Sequence, residues 1–219
     1  MSANNRAKSL SSYLRLLTIV DLAEEVGLGP VGSRLIHLVA YLANALSPVW
    51  SLAPQRPEVL KLFGGPYDPS LQHDLDQLVG RGALLIHEPR YDFSGENGWR
   101  LAAAYSVNDE LARPFLDTSA LFPDEHEATL VVREICLALS AMPDEAIDAL
   151  ARFDVSYADP SVSPNSVVDL SGPDGANPTS RTARRFADLG RSGHEASPSE
   201  QAHLYIRHMA RLAGAEASE

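Results

Sequence analysis

The segment from Lys61 to Glu88 constrains the fold more than any other part of this chain, because a turn, a helix and a strand follow one another within it. Gly64 and Gly65 both tolerate positive φ, whereas the ring of Pro66 fixes its φ. Together with Tyr67 they predict a tight turn. Such a turn would fix the direction in which the next element begins.

A short amphipathic helix is predicted directly after this turn. Asp68 offers a capping carboxylate, and Pro69 is a preferred first helical residue. Apolar residues then recur at the spacing of one buried helix face: Leu71, Leu75 and Leu78. Gly82 is well placed as the left-handed residue that ends the helix, and an apolar strand follows over Ala83 to His87.

The surrounding sequence completes the pattern of a winged helix-turn-helix domain. Two helices are predicted before the turn, over Ser12 to Val26 and from Ser33 to Leu46. After the strand, Pro89 to Gly98 has turn composition and Trp99 to Tyr105 forms a second strand, so the two strands would make the wing. The sequence therefore predicts a mostly α chain with a small β-hairpin, and a winged-helix domain over residues 1–106.

The remaining residues, 107–219, are predicted to form a helical C-terminal region. Helix starts are indicated near Asn108, Pro123, Pro143, Asn177 and Ser197. The helix from Asn177 is expected to reach Leu189. Residues 154–179 are rich in Pro, Ser, Gly and Asp, which predicts an irregular loop with one short strand near Ser166 to Leu170. A loop of this length is usually functional or wrapped over a partner.

Composition narrows the classes of function. A formal net charge of −11 argues against general affinity for nucleic acid, which rests on neutralising phosphates with Lys and Arg. One cysteine, Cys136, excludes an internal disulfide and is too few for a thiolate metal site. No stretch reaches the roughly 18 uninterrupted apolar residues of a membrane span, and the N-terminal sequence lacks signal-peptide character. We therefore expect a cytoplasmic protein without membrane contact.

No pattern of catalytic residues or cofactor ligands stands out. His203 and His208 are five residues apart, which is about 140° around a helix, and so would not share a metal. Asp74 and Asp76 are expected on the solvated face of their helix rather than in acid–base chemistry. The sequence contains neither a nucleophile elbow nor a phosphate-binding glycine loop. We predict a protein that is not an enzyme and uses no cofactor.

Two kinds of binding surface are candidates. The helix Asp68 to Arg81 is poorly suited to a DNA groove, because its mid-helix aspartates would face phosphates. Basic residues elsewhere are candidates for nucleic-acid or partner contact: Arg90 and Arg100 in the wing, and the cluster Arg181, Arg184, Arg185 and Arg191. The alternative for the cluster is an exposed helix whose arginines are simply solvated. The second helix is so apolar that it is also a candidate for self-association as a homodimer, through Leu35, Leu38 and Leu42 and together with the N-terminal helix.

One further indication is a resemblance. RLIHLVAYLANALSPVW followed by KLFGGPYDPSLQHDLDQLVGRGAL resembles a broad bacterial group of winged-helix proteins with a Gly-Pro-Tyr turn. It looks most like the middle components of ABC-type three-component anti-phage defence systems, which are encoded beside a large coiled-coil ATPase. It is similar, more distantly, to antitoxin-like proteins with the same turn. The resemblance covers Leu35 to Leu85, and no catalytic residue is carried over.

The resemblance implies a non-enzymatic adaptor subunit that bridges a large ATPase or effector of the same system by protein–protein contacts. DNA would then be reached through the complex. The alternative is a DNA-binding winged-helix transcription regulator or antitoxin, which would use the wing around Arg90 and Arg100 or the arginine cluster.

Overall fold

The computed structural model of the chain describes residues 3–94, 98–119, 121–172, 175–186 and 196–216. They are mostly helical, with two small antiparallel sheets of three strands each. The helices are α1 Ala3–Glu25, α2 Ser33–Leu46, α3 Pro69–Gly80, α4 Asp109–Ser119, α5 Pro123–Ser140, α6 Asp144–Ala149, α7 Pro178–Arg185 and α8 Pro198–Glu216. Short 3₁₀ helices cover Ser47–Trp50 and Leu150–Phe153. The strands are β1 Val31–Gly32, β2 Glu58–Leu62, β3 Gly65–Tyr67, β4 Leu84–Ser94, β5 Gly98–Val107 and β6 Val167–Asp169.

The chain folds into two compact units, each built from separate stretches of sequence. One unit comprises Met1–Ile36 and Pro69–Thr129, and the other comprises His37–Asp68 and Leu130–Glu219. This interleaving differs from the single boundary after residue 106 that the sequence suggested. It arises because β2 pairs with β6, which ties residues 37–68 to the C-terminal part of the chain.

The first unit contains α1, α3, α4 and a sheet in the order β1-β5-β4. Val31 pairs with Tyr105 and Leu84 pairs with Val107, so both neighbours of β5 run antiparallel to it. α1 packs against α3, α4 and β5. The buried residues of α3 are those at the predicted apolar spacing, Leu71, Leu75 and Leu78, and Gly82 has the expected positive φ of 75°. The predicted helix and its glycine end are therefore confirmed.

The long hairpin of β4 and β5 confirms that two strands follow α3, but it corrects their extent. Pairing continues from Leu84 opposite Val107 to Ser94 opposite Gly98, so the turn predicted from Pro89 onward begins too early. The register is irregular between His87 and Arg90, where Glu88 has a φ of 46°. β4 lies at the edge of its sheet, and an edge strand with an irregularity tolerates a proline that cannot donate a hydrogen bond.

The second unit contains a sheet in the order β3-β2-β6, together with α6, α7, α8 and the 3₁₀ helices. β2 and β3 form a hairpin in which Leu62 pairs with Gly65, whose φ is 117°. The sequence indicated only a bend there and missed both strands. The short strand predicted near Ser166 is confirmed as β6, and the other residues of 154–172 form only turns, bends and irregular chain.

Most helix starts agree with the sequence. α2 has the predicted bounds, whereas α1 begins well before Ser12. α4, α5, α6 and α8 begin within one residue of their predicted positions. The predicted continuation of α7 to Leu189 lies outside the described residues. Within the part of the chain that is described, no helix has the length and apolar character needed to cross a membrane.

Candidate interaction surfaces

The polar face of α3 carries more negative than positive charge. His73 and Asp76 are exposed, while Gln72 and Asp74 are half-buried. The Gln72 amide donates a hydrogen bond to the Asp76 carboxylate, with Nε2 and Oδ1 3.0 Å apart. Asp76 also affects Tyr105 of the neighbouring sheet. Burial chiefly, and then the negative charge of Asp76, raise the pKa of the Tyr105 phenol. This face is therefore polar and acidic.

The middle and the C-terminal end of α3 are also held by α1. The Ser12 hydroxyl donates a hydrogen bond to the Asp74 carboxylate. The Arg81 guanidinium carbon lies 5.0 Å from the centroid of the Tyr13 ring, in the geometry of a cation–π contact. The basic residue at the end of this helix is thus already stacked on an aromatic ring of the same unit.

The turn before α3 is held by contacts within the second unit. Arg56 Nη1 lies 3.0 Å from Asp68 Oδ2, and the Asp68 backbone N–H donates to His37 Nδ1 at 3.2 Å. The His37 and Tyr67 rings are 4.8 Å apart. Pro66 is buried in this turn. The carboxylate of Asp68 therefore pairs with an arginine in addition to any capping of α3.

Two of the predicted basic residues use their guanidinium groups in hydrogen bonds within the chain. Arg184 donates a hydrogen bond to the Pro48 carbonyl, and Arg181 Nη2 donates to the Ala176 carbonyl at 3.0 Å. Arg185 and Arg90 are exposed. Arg191 and the side chain of Arg100 lie outside the described residues. The arginine cluster is thus partly structural, with two of its side chains bonded to backbone carbonyls of the second unit.

Two of the three α2 residues proposed for self-association are buried within the chain. Leu38 is 6% exposed and Leu42 is 0% exposed, while Leu35 is half-buried. An apolar helix can be covered by its own chain instead of by a partner, and the folded chain covers this one. The two buried leucines are not available to a second copy.

A buried carboxylate is the most concentrated polar cluster among the described residues. Asp154 is 0% exposed. Its Oδ1 accepts the backbone N–H groups of Ser156 and Tyr157, each at 3.0 Å. Hydroxyl groups complete its shell: Tyr41, Tyr205 at 2.8 Å and Thr179 at 2.7 Å. A carboxylate with this many donors is stabilised without a basic partner.

The same cluster raises the pKa values of its tyrosines. Burial chiefly, and then the negative charge of Asp154, raise the pKa of Tyr41 and of Tyr205. Both phenols therefore remain protonated donors at neutral pH. Because the cluster is buried and its donors are satisfied by Asp154, it holds the segment after the second 3₁₀ helix against α2, α7 and α8. Its chemistry fits a structural role.

The described residues contain neither a cluster of metal ligands nor an exposed thiol. No group of three or more His, Cys, Asp or Glu side chains is placed there to hold a metal ion. Cys136 is buried in α5, and burial raises the pKa of its thiol to about 12. A thiol with such a pKa is a poor nucleophile at neutral pH.

An exposed apolar surface was not predicted from the sequence. It lies on α4 and the turn that follows, and we call the side chains of Leu111, Phe115, Leu121 and Phe122 the α4–α5 surface. Leu121 is 80% exposed, and Phe115 and Phe122 are each 58% exposed. Large apolar side chains clustered in this way are typical of interaction sites.

Comparisons with known proteins add no identification. No family model, no curated protein and no solved structure matches the chain.

Proposed function

We propose that this chain is a non-enzymatic winged-helix adaptor that bridges a large coiled-coil ATPase or effector of a bacterial defence system through protein–protein contacts. The observation that carries the proposal is the polar face of α3, which is acidic and engaged with its own unit. The identity of the partner, a protein of a defence system, is inferred from the sequence resemblance. The protein–protein nature of the contacts is inferred from the surfaces of the chain.

The order of elements supports the winged-helix part of the proposal. A helix, a short strand, two helices and a β-hairpin follow one another as α1, β1, α2, α3 and β4–β5, with the β2–β3 hairpin inserted between α2 and α3. The short strand β1 pairs with β5, and β5 pairs with β4. This order supports the proposal, because in a winged helix the strand between the first two helices joins the hairpin as a third strand.

The charge of α3 supports protein over DNA as the ligand of this module. A helix that enters the major groove must pass between phosphates and offer donors to base edges. α3 would bring the carboxylates of Asp74 and Asp76 toward the phosphates, and Arg81 is stacked on Tyr13. Repulsion would oppose binding, and the net charge of −11 would oppose it further.

A DNA-binding regulator remains the second candidate because two arginines are exposed away from α3. Arg90 lies on β4 and Arg185 lies at the end of α7. Both could contact phosphates without placing α3 in a groove. Arg184 is less suitable for a test, because its substitution would also remove the hydrogen bond to the Pro48 carbonyl.

Titration of a fluorescently labelled DNA duplex separates the two candidates. Under the adaptor proposal, anisotropy stays at its baseline up to about 100 µM protein near physiological salt, which is the weak end of non-specific binding. Saturation at low micromolar protein, lost in both Arg90→Glu and Arg185→Glu, would support the regulator and contradict the adaptor. Arg152→Glu is the control for net charge, since it makes the same change of charge at another exposed arginine.

A further inference from the structure

We propose that the chain self-associates head to tail, so that the α4–α5 surface of one copy binds the exposed face of α8 of a second copy. The inference rests on surfaces of this chain alone and goes beyond the proposed function. Self-association of the purified chain and binding to an ATPase are separate measurements, and either can fail without the other.

The receiving surface combines apolar side chains with an acidic surround. Exposed carboxylates flank its leucines and phenylalanines: Glu110, Asp117, Asp124 and Glu127. Arg113 is the one basic residue between Asp109 and Glu127 apart from the titratable His126. Its Nη2 lies 2.7 Å from Asp21 Oδ1 and 2.6 Å from Asp109 Oδ1, so its charge is already neutralised. The surface therefore favours an apolar ligand that carries positive charge.

The apolar side chains of this surface come from α4 and from the turn directly after it. Leu111 and Phe115 are four residues apart on α4 and so are neighbours on its surface. Hydrogen bonds of the following turn, from Leu121 N to Thr118 O at 3.2 Å and from Phe122 N to Ser119 O at 3.0 Å, keep the next two members within a turn of the helix end. The α4–α5 surface therefore draws on exposed residues from Leu111 in α4 to Phe122, which directly precedes α5.

α8 offers a face with the complementary chemistry. Its buried side chains share one face of the helix: Ala202, Tyr205, Ile206, Met209 and Ala213. The opposite face exposes Leu204, Arg207 and Arg211, with Leu212 at its margin. No acidic residue occurs between Gln201 and Ala215. We call this the α8 face; it is apolar at both ends and basic in the middle.

Charge decides which surfaces meet. Two α4–α5 surfaces facing each other would bring acidic residues together, and two α8 faces would bring arginines together. Like charges placed opposite each other disfavour both symmetric pairings. The mixed pairing joins apolar to apolar and basic to acidic. A contact between two different surfaces is head to tail, and it produces rings or open chains depending on the angle between successive copies.

The test uses two variants, each of which removes one surface. Phe115→Ser with Phe122→Ser removes the α4–α5 anchors, and Arg207→Glu with Arg211→Glu reverses the charge of the α8 face. All four residues are exposed, so we expect both variants to fold, which circular dichroism melting would verify. Light scattering then measures the weight-average mass across a concentration series from about 5 µM to about 500 µM, the range of weak association.

The expected result has three parts. The wild-type mass rises with concentration, and added salt reduces the rise. Each variant alone keeps the mass of one chain. An equal mixture of the two variants gives a species of two chains and nothing larger, because one usable α4–α5 surface meets one usable α8 face. A wild type that stays at the mass of one chain, or a mixture no heavier than its components, would overturn the proposal.

Two further variants test whether a loss of association comes from a general change of the surface or from misfolding. Phe63→Ser removes a 66% exposed phenylalanine outside both surfaces and should leave the wild-type association unchanged. Asp117→Lys with Asp124→Lys reverses the charge of the receiving surface. That variant alone should keep the mass of one chain, and adding Arg207→Glu and Arg211→Glu to the same chain should restore association, which misfolding would not produce. Failure of this charge-swapped chain to associate, with wild type associating, would equally overturn the proposal.

Discussion

At the scale of single residues, Asp154 has the clearest structural role. Its carboxylate accepts hydrogen bonds from side chains that lie far apart in the sequence: Tyr41 on α2, Thr179 on α7 and Tyr205 on α8. It also accepts the backbone N–H groups that follow it. One side chain therefore fixes the beginning of the irregular segment 154–177 to three helices of its unit.

Replacing this carboxylate should be costly. We expect Asp154→Ala to lower the free energy of unfolding by at least about 3 kcal/mol, because several buried donors would lose their acceptor, at about 1–3 kcal/mol for each buried group left unpaired. Urea denaturation of the wild type and the variant measures the difference.

Asp169→Ala is the matched control. Asp169 is exposed at the end of β6, where its Oδ1 accepts the backbone N–H of Ser171 at 2.7 Å. It makes the same local contact without burial, so its substitution should cost much less. Equal losses for the two variants would contradict a structural role that depends on burial.

At the scale of elements, the end of α3 provides a comparison of two glycines. Gly82 has a φ of 75°, whereas Gly80 has no such conformation, and a methyl group added to Gly80 would meet no heavy atom within 4 Å. Gly82→Ala should lower stability by about 1–2 kcal/mol, the cost of a left-handed alanine. Gly80→Ala should raise it by up to about 1 kcal/mol through reduced freedom of the unfolded chain.

Thermal melting of the two alanine variants checks this pair. For a chain of this length the expected shifts are a few degrees in opposite directions, at about 2–4 °C per kcal/mol. Shifts of the same sign would mean that the left-handed conformation of Gly82 does not set the end of α3.

Local signals explain why part of the fold was predictable from the sequence. α2 and α3 were found at nearly their observed bounds, because a capping residue, an apolar period and a terminating Gly or Pro all lie within each helix or beside it. The β2–β3 hairpin and the interleaved units were missed. The interleaving depends on the pairing of β2 with β6, which joins residues about a hundred positions apart and leaves no local pattern. The β2–β3 hairpin is local, but its strands are short and its Gly-Gly-Pro segment was interpreted only as a bend.

The surfaces were harder to predict than the helices. α4 carries apolar residues on two faces, with Ala112 and Leu116 buried and Leu111 and Phe115 exposed. Sequence alone does not say which pair faces the core, and the second pair was overlooked. α2 is the opposite case. Its apolar character indicated contact with a partner, but Leu38 and Leu42 are buried within the chain itself.

At the scale of the whole molecule, the charge and the surfaces favour protein ligands. The net charge of −11 and the acidic face of α3 oppose contact with phosphates. The α4–α5 surface and the α8 face instead combine exposed apolar side chains with charge, as protein interfaces do. Surfaces of this kind are what the adaptor proposal requires.

The most direct measurement is capture of the tagged protein from its native host at moderate salt, with and without nuclease, followed by mass spectrometry. We predict that one large ATPase or effector is recovered in stoichiometric amount and that nuclease treatment does not release it. Recovery of nucleic acid without such a protein, abolished by nuclease, would contradict the adaptor and move the chain to the DNA-binding class.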